Sequence, residues 1–162
     1  LSVHIEHSKA DLRYLDPETN EKYIPYVVEP SLGLDRAILA FICNAYEREE
    51  LEGGDTREVL KIHPALAPVK ATILPLIKKV HGEKAMELYA KLCKDFNVSY
   101  DESGSIGKRY RRNDAVGTPF SITVDDNTVN DNMVTIRDRD TMEQITLHID
   151  EVANYIKERI DF

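Results

Sequence analysis

The stretch EPSLGLDR, residues 29–36, joins two apolar runs and carries residue types that bind a small charged molecule. Backbone N–H groups at a helix N-terminus are unpaired and carry about half a positive charge, so they suit a phosphate or a carboxylate. Gly33 lets a ligand approach the backbone closely. Arg36 falls in the first turn of the expected helix, where a cation opposes the helix dipole. We therefore predict that Arg36 meets an anion or a flat ring, and that Glu29 meets a cation such as a substrate ammonium.

The same residues also fit an internal ion pair, either Glu29–Arg36 or Asp35–Arg36, with no ligand involved. Composition alone does not separate the two interpretations. The histidines do not add a third interpretation. They are scattered without metal-ligand spacing, so no metal site is predicted. They are expected to be surface or hydrogen-bonded structural residues: His4, His7, His63, His81 and His148.

A second group of residues suits RNA. Residues 108–112 read KRYRR, which combines positive charge with an aromatic ring. Proteins bind RNA loops by stacking splayed bases on aromatic or guanidinium planes and by bonding their edges. At helical spacing, Lys108 shares a face with Arg111 and Arg112, whereas Arg109 points elsewhere. The alternative is a solvated face whose charges pair with Asp114 and its neighbours.

Further along the chain, Arg137, Arg139 and Glu143 cluster around an expected hairpin. A glutamate can accept a hydrogen bond from the amino group of cytosine, so Glu143 is a candidate for base recognition. Cross-strand salt bridges with Asp138, Asp140 and Glu143 would equally explain the two arginines.

The charge distribution restricts any RNA binding to a local patch. The net charge is −8, and the first 65 residues hold 13 of the 29 acidic but only 7 of the 21 basic side chains. No run approaches the ~18 apolar residues of a membrane span, and no signal peptide opens the sequence. We expect a cytoplasmic protein without a membrane segment, in which Cys43 and Cys93 are buried free thiols.

The first part of the chain predicts a hairpin over 11–29 and a helix from about Leu34. That helix is apolar nearly all round, which predicts burial on every side. The charged run 47–58 is expected to loop into solvent. Residues 59–68 are expected to form an extended linker because of Pro64 and Pro68, with a domain boundary near residue 65.

The rest of the chain alternates strands with helices, which predicts an α/β fold with a mixed five-stranded sheet flanked by helices. Asp150 is expected to cap the last helix. The predicted strands cover 70–77, 97–102, 119–125, 133–140 and 142–149, and the predicted helices cover 83–96, 106–117 and the segment after Asp150.

Four blocks of the sequence resemble a known family. EPSLGLDRAILAFI resembles motif 3 of class II aminoacyl-tRNA synthetases, and KIHPALAPVKATILPL resembles the crossing into the class IIa anticodon-binding domain. SIGKRYRRNDAVGTPFSITVD and VTIRDRDTMEQI resemble blocks of that domain. With the EPS triplet, they indicate the dimeric type of glycyl-tRNA synthetase. The resemblance covers essentially the whole chain, but motifs 1 and 2 of the family have no counterpart.

The resemblance implies that residues 1–64 come from the antiparallel class II catalytic core and that 65–162 form the anticodon-binding domain. It implies that glycine, ATP with Mg²⁺ and tRNA(Gly) are partners of a homodimeric full-length enzyme. Arg36 would be the catalytic, ATP-binding residue. Gly33, Leu34 and Asp35 would form the floor of the ATP site. Glu29, Ser31 and the neighbouring Pro30, Leu32 and Gly33 would bind glycine.

Without motif 2, the charge on the α-phosphate is not neutralised, so we expect no measurable adenylation by this chain alone. The alternative is a free-standing anticodon-domain protein that binds RNA or serves as an accessory subunit. A sister synthetase for threonine, proline or histidine is a third possibility, against which the EPS triplet and the KRYRRNDAVGTPF block argue. The intact EPSLGLDR favours the synthetase fragment.

Overall fold

The computed structural model describes residues 1–51 and 53–161. These residues form two compact units, Leu1–Ala37 and a second unit that begins at Ile38. No helix in the described part of the chain is long and apolar enough to cross a membrane.

The first unit contains a short hairpin. Helix α1 (Ser2–Ser8) precedes strands β1 (Tyr14–Leu15) and β2 (Lys22–Tyr23), which pair antiparallel. The turn is held by Asp16, whose side chain accepts from the Glu18 N–H at 2.9 Å. The predicted hairpin is present, but its second strand ends at Tyr23, and α1 was not predicted.

Helix α2 (Leu34–Ala45) begins where the sequence predicts, but the prediction that it is buried on every side is wrong. Leu39 is 61% exposed and Phe41 is 54% exposed, and among the described residues of α2 only Ala45 is buried. An apolar pattern predicts burial only where another layer of the protein covers it. No described element covers these positions.

Residues predicted as a solvent loop form a hairpin instead. Strand β3 (Tyr46–Glu50) pairs antiparallel with β4 (Thr56–Leu60), and the register places Glu49 opposite Arg57 and Arg48 opposite Glu58. Opposite charges across two strands stabilise such a pair. Gly53 and Gly54 turn the chain with φ of 87° and 79°, which glycine adopts without strain.

The predicted extended linker over 59–68 is also only partly correct. Its first two residues belong to β4, and residues 64–66 form a turn. Lys70 Nζ holds this turn by donating to the carbonyl oxygens of Pro64 at 3.0 Å and Ala65 at 2.8 Å.

A five-stranded mixed sheet follows, which confirms the predicted fold class. Its elements, with the helices between them, are β5 (Ala71–Pro75), α3 (Lys78–Leu92), β6 (Val98–Tyr100), α4 (Ile106–Ala115), β7 (Phe120–Val124), α5 (Asp126–Asp131), β8 (Met133–Asp138), β9 (Gln144–His148) and α6 (Val152–Ile160). The strand order is β6-β5-β7-β8-β9; β5 is parallel to both β6 and β7, whereas the β7–β8 and β8–β9 pairs are antiparallel. The short α5 was not predicted, and α3 begins five residues earlier than expected.

The two faces of this sheet differ in chemistry. One face carries the row Ile73, Ile122, Ile136 and Ile145, which the strand register places side by side. Helices α3 and α6 pack on this face, and their buried residues join the core: Ala85, Leu88, Leu92, Val152 and Ile156. The core of the second unit therefore lies between this apolar face and these two helices.

The opposite face is polar. The same register aligns Thr72, Ser121, Arg137 and Gln144 across four strands. Helix α4 packs against this face, where the Tyr110 hydroxyl lies 2.7 Å from Thr123 Oγ1 on β7. A polar sheet face that packs against a helix needs hydrogen-bond partners. Charged side chains of β4, α4 and β8 provide them.

Two local predictions are wrong. Cys43 and Cys93 are exposed, not buried, because Cys43 lies on the exposed helix α2 and Cys93 is the C-cap residue that ends α3. The N-cap of α6 is Glu151, not Asp150. The Asp150 carboxylate instead accepts from Lys91 Nζ at 2.5 Å.

Candidate nucleic-acid interface

The segment EPSLGLDR is exposed throughout residues 29–36. It has no regular structure until α2 starts at Leu34, so Asp35 and Arg36 lie in the first turn of the helix, as predicted. A Cβ on Gly33 would meet nothing within 4 Å, so the backbone there is open to a ligand. Among the described residues, Arg36 forms no ion pair with Glu29 or Asp35.

The segment 29–36 offers an anion-binding group. Arg36 supplies one cation and α2 supplies its N-terminal N–H groups, which together fit one anionic group. Among the described residues there is no group of three His, Cys, Asp or Glu side chains that could hold a metal ion.

One histidine is fully buried. The Ile77 N–H donates to His81 Nδ1 at 3.0 Å, so Nε2 carries the hydrogen and donates to Asp126 Oδ1 at 3.0 Å. His81 is thus a hydrogen-bonded structural residue that joins the start of α3 to α5.

Helix α4 separates the KRYRR side chains onto two sides. Arg109 is 5% exposed, and its guanidinium donates to the carbonyl oxygens of Gly104 at 2.7 Å and Pro75 at 2.6 Å. Lys108, Arg111 and Arg112 are exposed. The predicted division of the helix is therefore present, and Arg109 ties α4 to the end of β5.

The exposed arginines of α4 are paired with acidic groups at the surface. Arg111 forms an ion pair with Asp55 at the tip of the β3–β4 hairpin. This hydrogen bond, together with the Thr56 N–H, holds the pKa of Asp55 below its ordinary value. Arg112 pairs with Asp101 at 2.7 Å. Solvent screens exposed pairs of this kind and they contribute little to stability, so a phosphate can displace the carboxylate.

The other two predicted arginines lie inside the protein. Arg139 is 1% exposed and donates to the carbonyl oxygens of Gly117 at 2.8 Å and Ile62 at 2.9 Å, besides pairing with Asp140. Arg137 is 7% exposed. Instead of making cross-strand bridges, it binds the Asp114 carboxylate on α4.

Asp114 joins three elements through one buried carboxylate. Its side chain is 1% exposed and accepts from both Nη atoms of Arg137, at 2.9 and 3.2 Å, and from Nη1 of Arg57 at 3.2 Å. Arg57 comes from β4, Asp114 from α4 and Arg137 from β8. Arg57 was not predicted as a site residue, and Asp114 was expected to be a surface charge, because spacing along the chain does not show which charges become buried.

Part of the polar sheet face is open. Helix α4 covers it over β5, β7 and Arg137 of β8, whereas Gln144 and Thr146 on β9 are exposed and Met133 and Thr135 on β8 are half-buried. Tyr110 borders this open part: Arg137 lies over its ring, with Cζ 4.9 Å from the ring centroid. We call the four strand residues together with Tyr110 the open polar face.

Glu143 lies in the turn that connects β8 to β9, one residue before Gln144 of the open polar face. It is exposed, and in the described part of the chain its carboxylate has no partner. The arrangement as a whole combines an aromatic ring, short polar side chains and an acceptor carboxylate next to a helix with exposed cations. These are the groups with which proteins bind single-stranded RNA.

The fold and these groups define an α/β domain whose surface has the chemistry of RNA recognition, and comparison with known proteins gives its family. Residues 70–159 match the model of the family described as Anticodon binding domain, which is more than half of the chain. The chain belongs to this family.

Curated proteins named Glycine--tRNA ligase are similar to the chain over its whole length. The protein from Clostridium tetani is 61% identical over 162 residues, and the one from Bacillus cereus is 58% identical over the same length. In both cases the match covers all of this chain and 35% of the relative. The chain thus spans about a third of the length of these relatives.

Two solved structures share the fold. The RNA binding domain of threonyl-tRNA synthetase from Cryptosporidium parvum superposes with a TM-score of 0.57 at 24% identity, over 72% of this chain and 35% of that one. Histidyl-tRNA synthetase from Nostoc sp. superposes with a TM-score of 0.55 at 18% identity, over 58% of this chain and 23% of that one. Both superpositions agree with the predicted fold.

Proposed function

We propose that the chain is part of a glycine–tRNA ligase and that its second unit binds the anticodon loop of tRNA(Gly). The observation that carries the proposal is the open polar face, which lies beside α4 and its exposed cations in a member of the anticodon-binding family. The identity of about 60% to proteins named Glycine--tRNA ligase supports the choice of amino acid and tRNA.

Each group on this surface has a chemical role in the proposal. The ring of Tyr110 stacks on a splayed base, and such stacking contributes about 1–3 kcal/mol per base. Lys108, Arg111 and Arg112 bind the phosphates that flank the loop. Glu143 accepts from the amino group of a cytosine, and glycine anticodons end in two cytosines. Because Arg109, Arg137 and Arg139 are buried, we assign them to holding these groups in place.

The first unit supplies part of the site for glycine and ATP in this proposal. Arg36 binds the nucleotide over a floor formed by Gly33, Leu34 and Asp35. Glu29 binds the glycine ammonium, and Ser31 orients the amino acid beside Pro30 and Leu32. A carboxylate attacking a phosphate needs further positive charge, which the described residues do not supply. The parent enzyme, a cytoplasmic homodimer in this proposal, provides the rest together with Mg²⁺.

Binding of tRNA(Gly) transcripts with altered anticodons tests the proposal. We expect affinity for the chain to fall at least tenfold when the second or third anticodon base is changed, and to stay constant when a base in the acceptor stem is changed. Equal binding of all transcripts would reduce the interaction to charge and contradict base recognition.

A pyrophosphate-exchange assay tests whether residues 29–36 need the rest of the parent enzyme for glycine activation. We expect no glycine-dependent exchange by this chain alone, since it lacks the residues that neutralise the α-phosphate. Glycine-dependent turnover by the purified chain would show that residues 29–36 form a complete site.

A further inference from the structure

The buried carboxylate of Asp114 connects the β3–β4 hairpin to the open polar face. Arg57 reaches it from β4, with its own side chain 2% exposed. Arg57 also pairs with Glu49 at 2.7 Å and donates to the Arg139 carbonyl oxygen at 3.0 Å. The hairpin therefore inserts one fully buried cation between α4 and the end of β8.

The carboxylate in turn fixes Arg137. Both Nη atoms of Arg137 are bound by Asp114, so the plane of the guanidinium is set by this bidentate pair. That group lies over the Tyr110 ring, whose hydroxyl is bonded to Thr123. The ring is held at its face by a cation and at its end by a hydrogen bond, which leaves it little freedom to rotate.

The positions of Arg57 and Arg137 depend on each other, because both guanidinium groups bind the Asp114 carboxylate. If Arg57 is removed, Asp114 keeps only one buried partner and the space that the guanidinium filled is left open. The Asp114–Arg137 pair can then shift toward the vacated space, and the contact over Tyr110 shifts with it. Side chains bound to the same group are coupled in this way in mutational cycles.

We propose that Arg57 is a positioning residue for the RNA-binding surface. Acting through Asp114 and Arg137, it holds the Tyr110 ring in the orientation that stacks on a base of the RNA loop. That the ligand is RNA rests on the proposed function, whereas the positioning of the Tyr110 ring is a property of the free protein.

The test compares Arg57→Met with Glu49→Gln in the full chain. Glu49→Gln is the matched control, because it removes the other carboxylate partner of Arg57 and leaves the Asp114 contacts intact. The first measurement is the NMR signal of the Tyr110 ring in protein labelled at tyrosine, assigned with Tyr110→Phe. We expect Arg57→Met to shift or broaden this signal and Glu49→Gln to leave it unchanged.

The second measurement is fluorescence quenching of 2-aminopurine placed in the anticodon loop of an RNA hairpin, which reports stacking. We expect Arg57→Met to reduce the quenching and to weaken binding about tenfold, and we expect the control to match the wild type. If Arg57→Met does not fold, Arg57→Gln takes its place in both measurements.

The outcomes separate the two proposals. A folded Arg57 variant with an unchanged Tyr110 signal overturns the positioning role, whatever the RNA result. A displaced Tyr110 signal with unchanged quenching and affinity shows that the ring does not stack on RNA and overturns the inference as well. Failure of the wild-type chain to bind any RNA hairpin contradicts the proposed function, while the NMR comparison still decides the positioning.

Discussion

Arg57 Nη1 lies 3.2 Å from Asp114 Oδ2, and neither side chain is more than 2% exposed to solvent. Arg57 of the β3–β4 hairpin thus shares the buried Asp114 carboxylate with Arg137 of the five-stranded sheet. The pair fixes the β3–β4 hairpin to α4, which is the helix that carries the exposed cations.

We expect Asp114→Asn to lower the free energy of unfolding by about 3 kcal/mol or more, because it leaves the buried Arg137 guanidinium without a charged partner and removes one of the two carboxylates that bind Arg57. Urea unfolding followed by circular dichroism measures this change. The control is Asp101→Asn, which removes the partner of a half-exposed arginine and should cost less than about 1 kcal/mol. Similar losses in the two variants would mean that Asp114 is not the central ion-pair partner.

We expect Asp55→Asn to increase the affinity of the chain for RNA, because it releases Arg111 from its surface ion pair. The slope of log affinity against log salt concentration should steepen by about 0.7, the value for one added phosphate contact on a single strand. Fluorescence anisotropy at several salt concentrations gives both quantities.

The control for this prediction is Asp11→Asn, which makes the same change in net charge in the first unit. It should alter neither the affinity nor the slope. An equal gain in both variants would mean that net charge, not the release of Arg111, governs binding.

Acid should weaken the contact between Lys61 and the hairpin. The pKa of Glu49 lies below its ordinary value of 4.5, first because Lys61 donates a hydrogen bond to it and also because Arg57 lies beside it, against the opposing effect of burial. A lowered folded-state pKa adds stability that is fully present above pH 4.5 and is lost as the pH falls through the folded-state value.

The measurement is the free energy of unfolding between pH 7 and pH 3 for the wild type and for Glu49→Gln. We expect the two curves to converge below pH 4.5, with a gap of about 1 kcal/mol or less at neutral pH. A constant gap across this range would contradict a role for the Glu49 charge.

Two glycines near the ends of α4 should respond to alanine with opposite signs. Gly107 lies within the helix with nothing within 4 Å of an added Cβ, so Gly107→Ala should stabilise the protein by about 0.5–1 kcal/mol. Gly117 has φ of 83°, and its added Cβ would lie 3.1 Å from Ile62 Cγ2 and 3.2 Å from the Leu60 carbonyl oxygen. Gly117→Ala should therefore destabilise by about 1–2 kcal/mol from backbone strain alone, and by more from the clash. Thermal unfolding of both variants checks the two signs.

The five-stranded sheet was predictable because its strands are short apolar or alternating runs separated by turn residues and amphipathic helices. The β3–β4 hairpin was missed for the opposite reason. Its strands YEREE and TREVL are mostly charged, and they are stabilised by pairs such as Glu49 and Arg57, which become visible only once the strand register is known. The adjacent glycines at 53 and 54 were the one available turn signal.

The candidate site was predictable in part. The division of KRYRR into inward and outward side chains followed from helical spacing alone. The burial of Arg137 and Arg139 did not, since a sequence shows charge without showing what surrounds it. The open polar face was not predicted either. It arises because α4 leaves β9 and the first residues of β8 uncovered, which depends on the strand order, and neighbouring strands in that order are not all neighbours in the chain.

The exposed thiol of Cys93 follows α3, which packs on the apolar face of the sheet, opposite the open polar face. Because the chain has two cysteines, Cys43→Ser leaves Cys93 as the single site for a maleimide dye. A fluorophore attached to Cys93 would report complex formation from the side of the sheet opposite the open polar face, so it would not obstruct RNA binding.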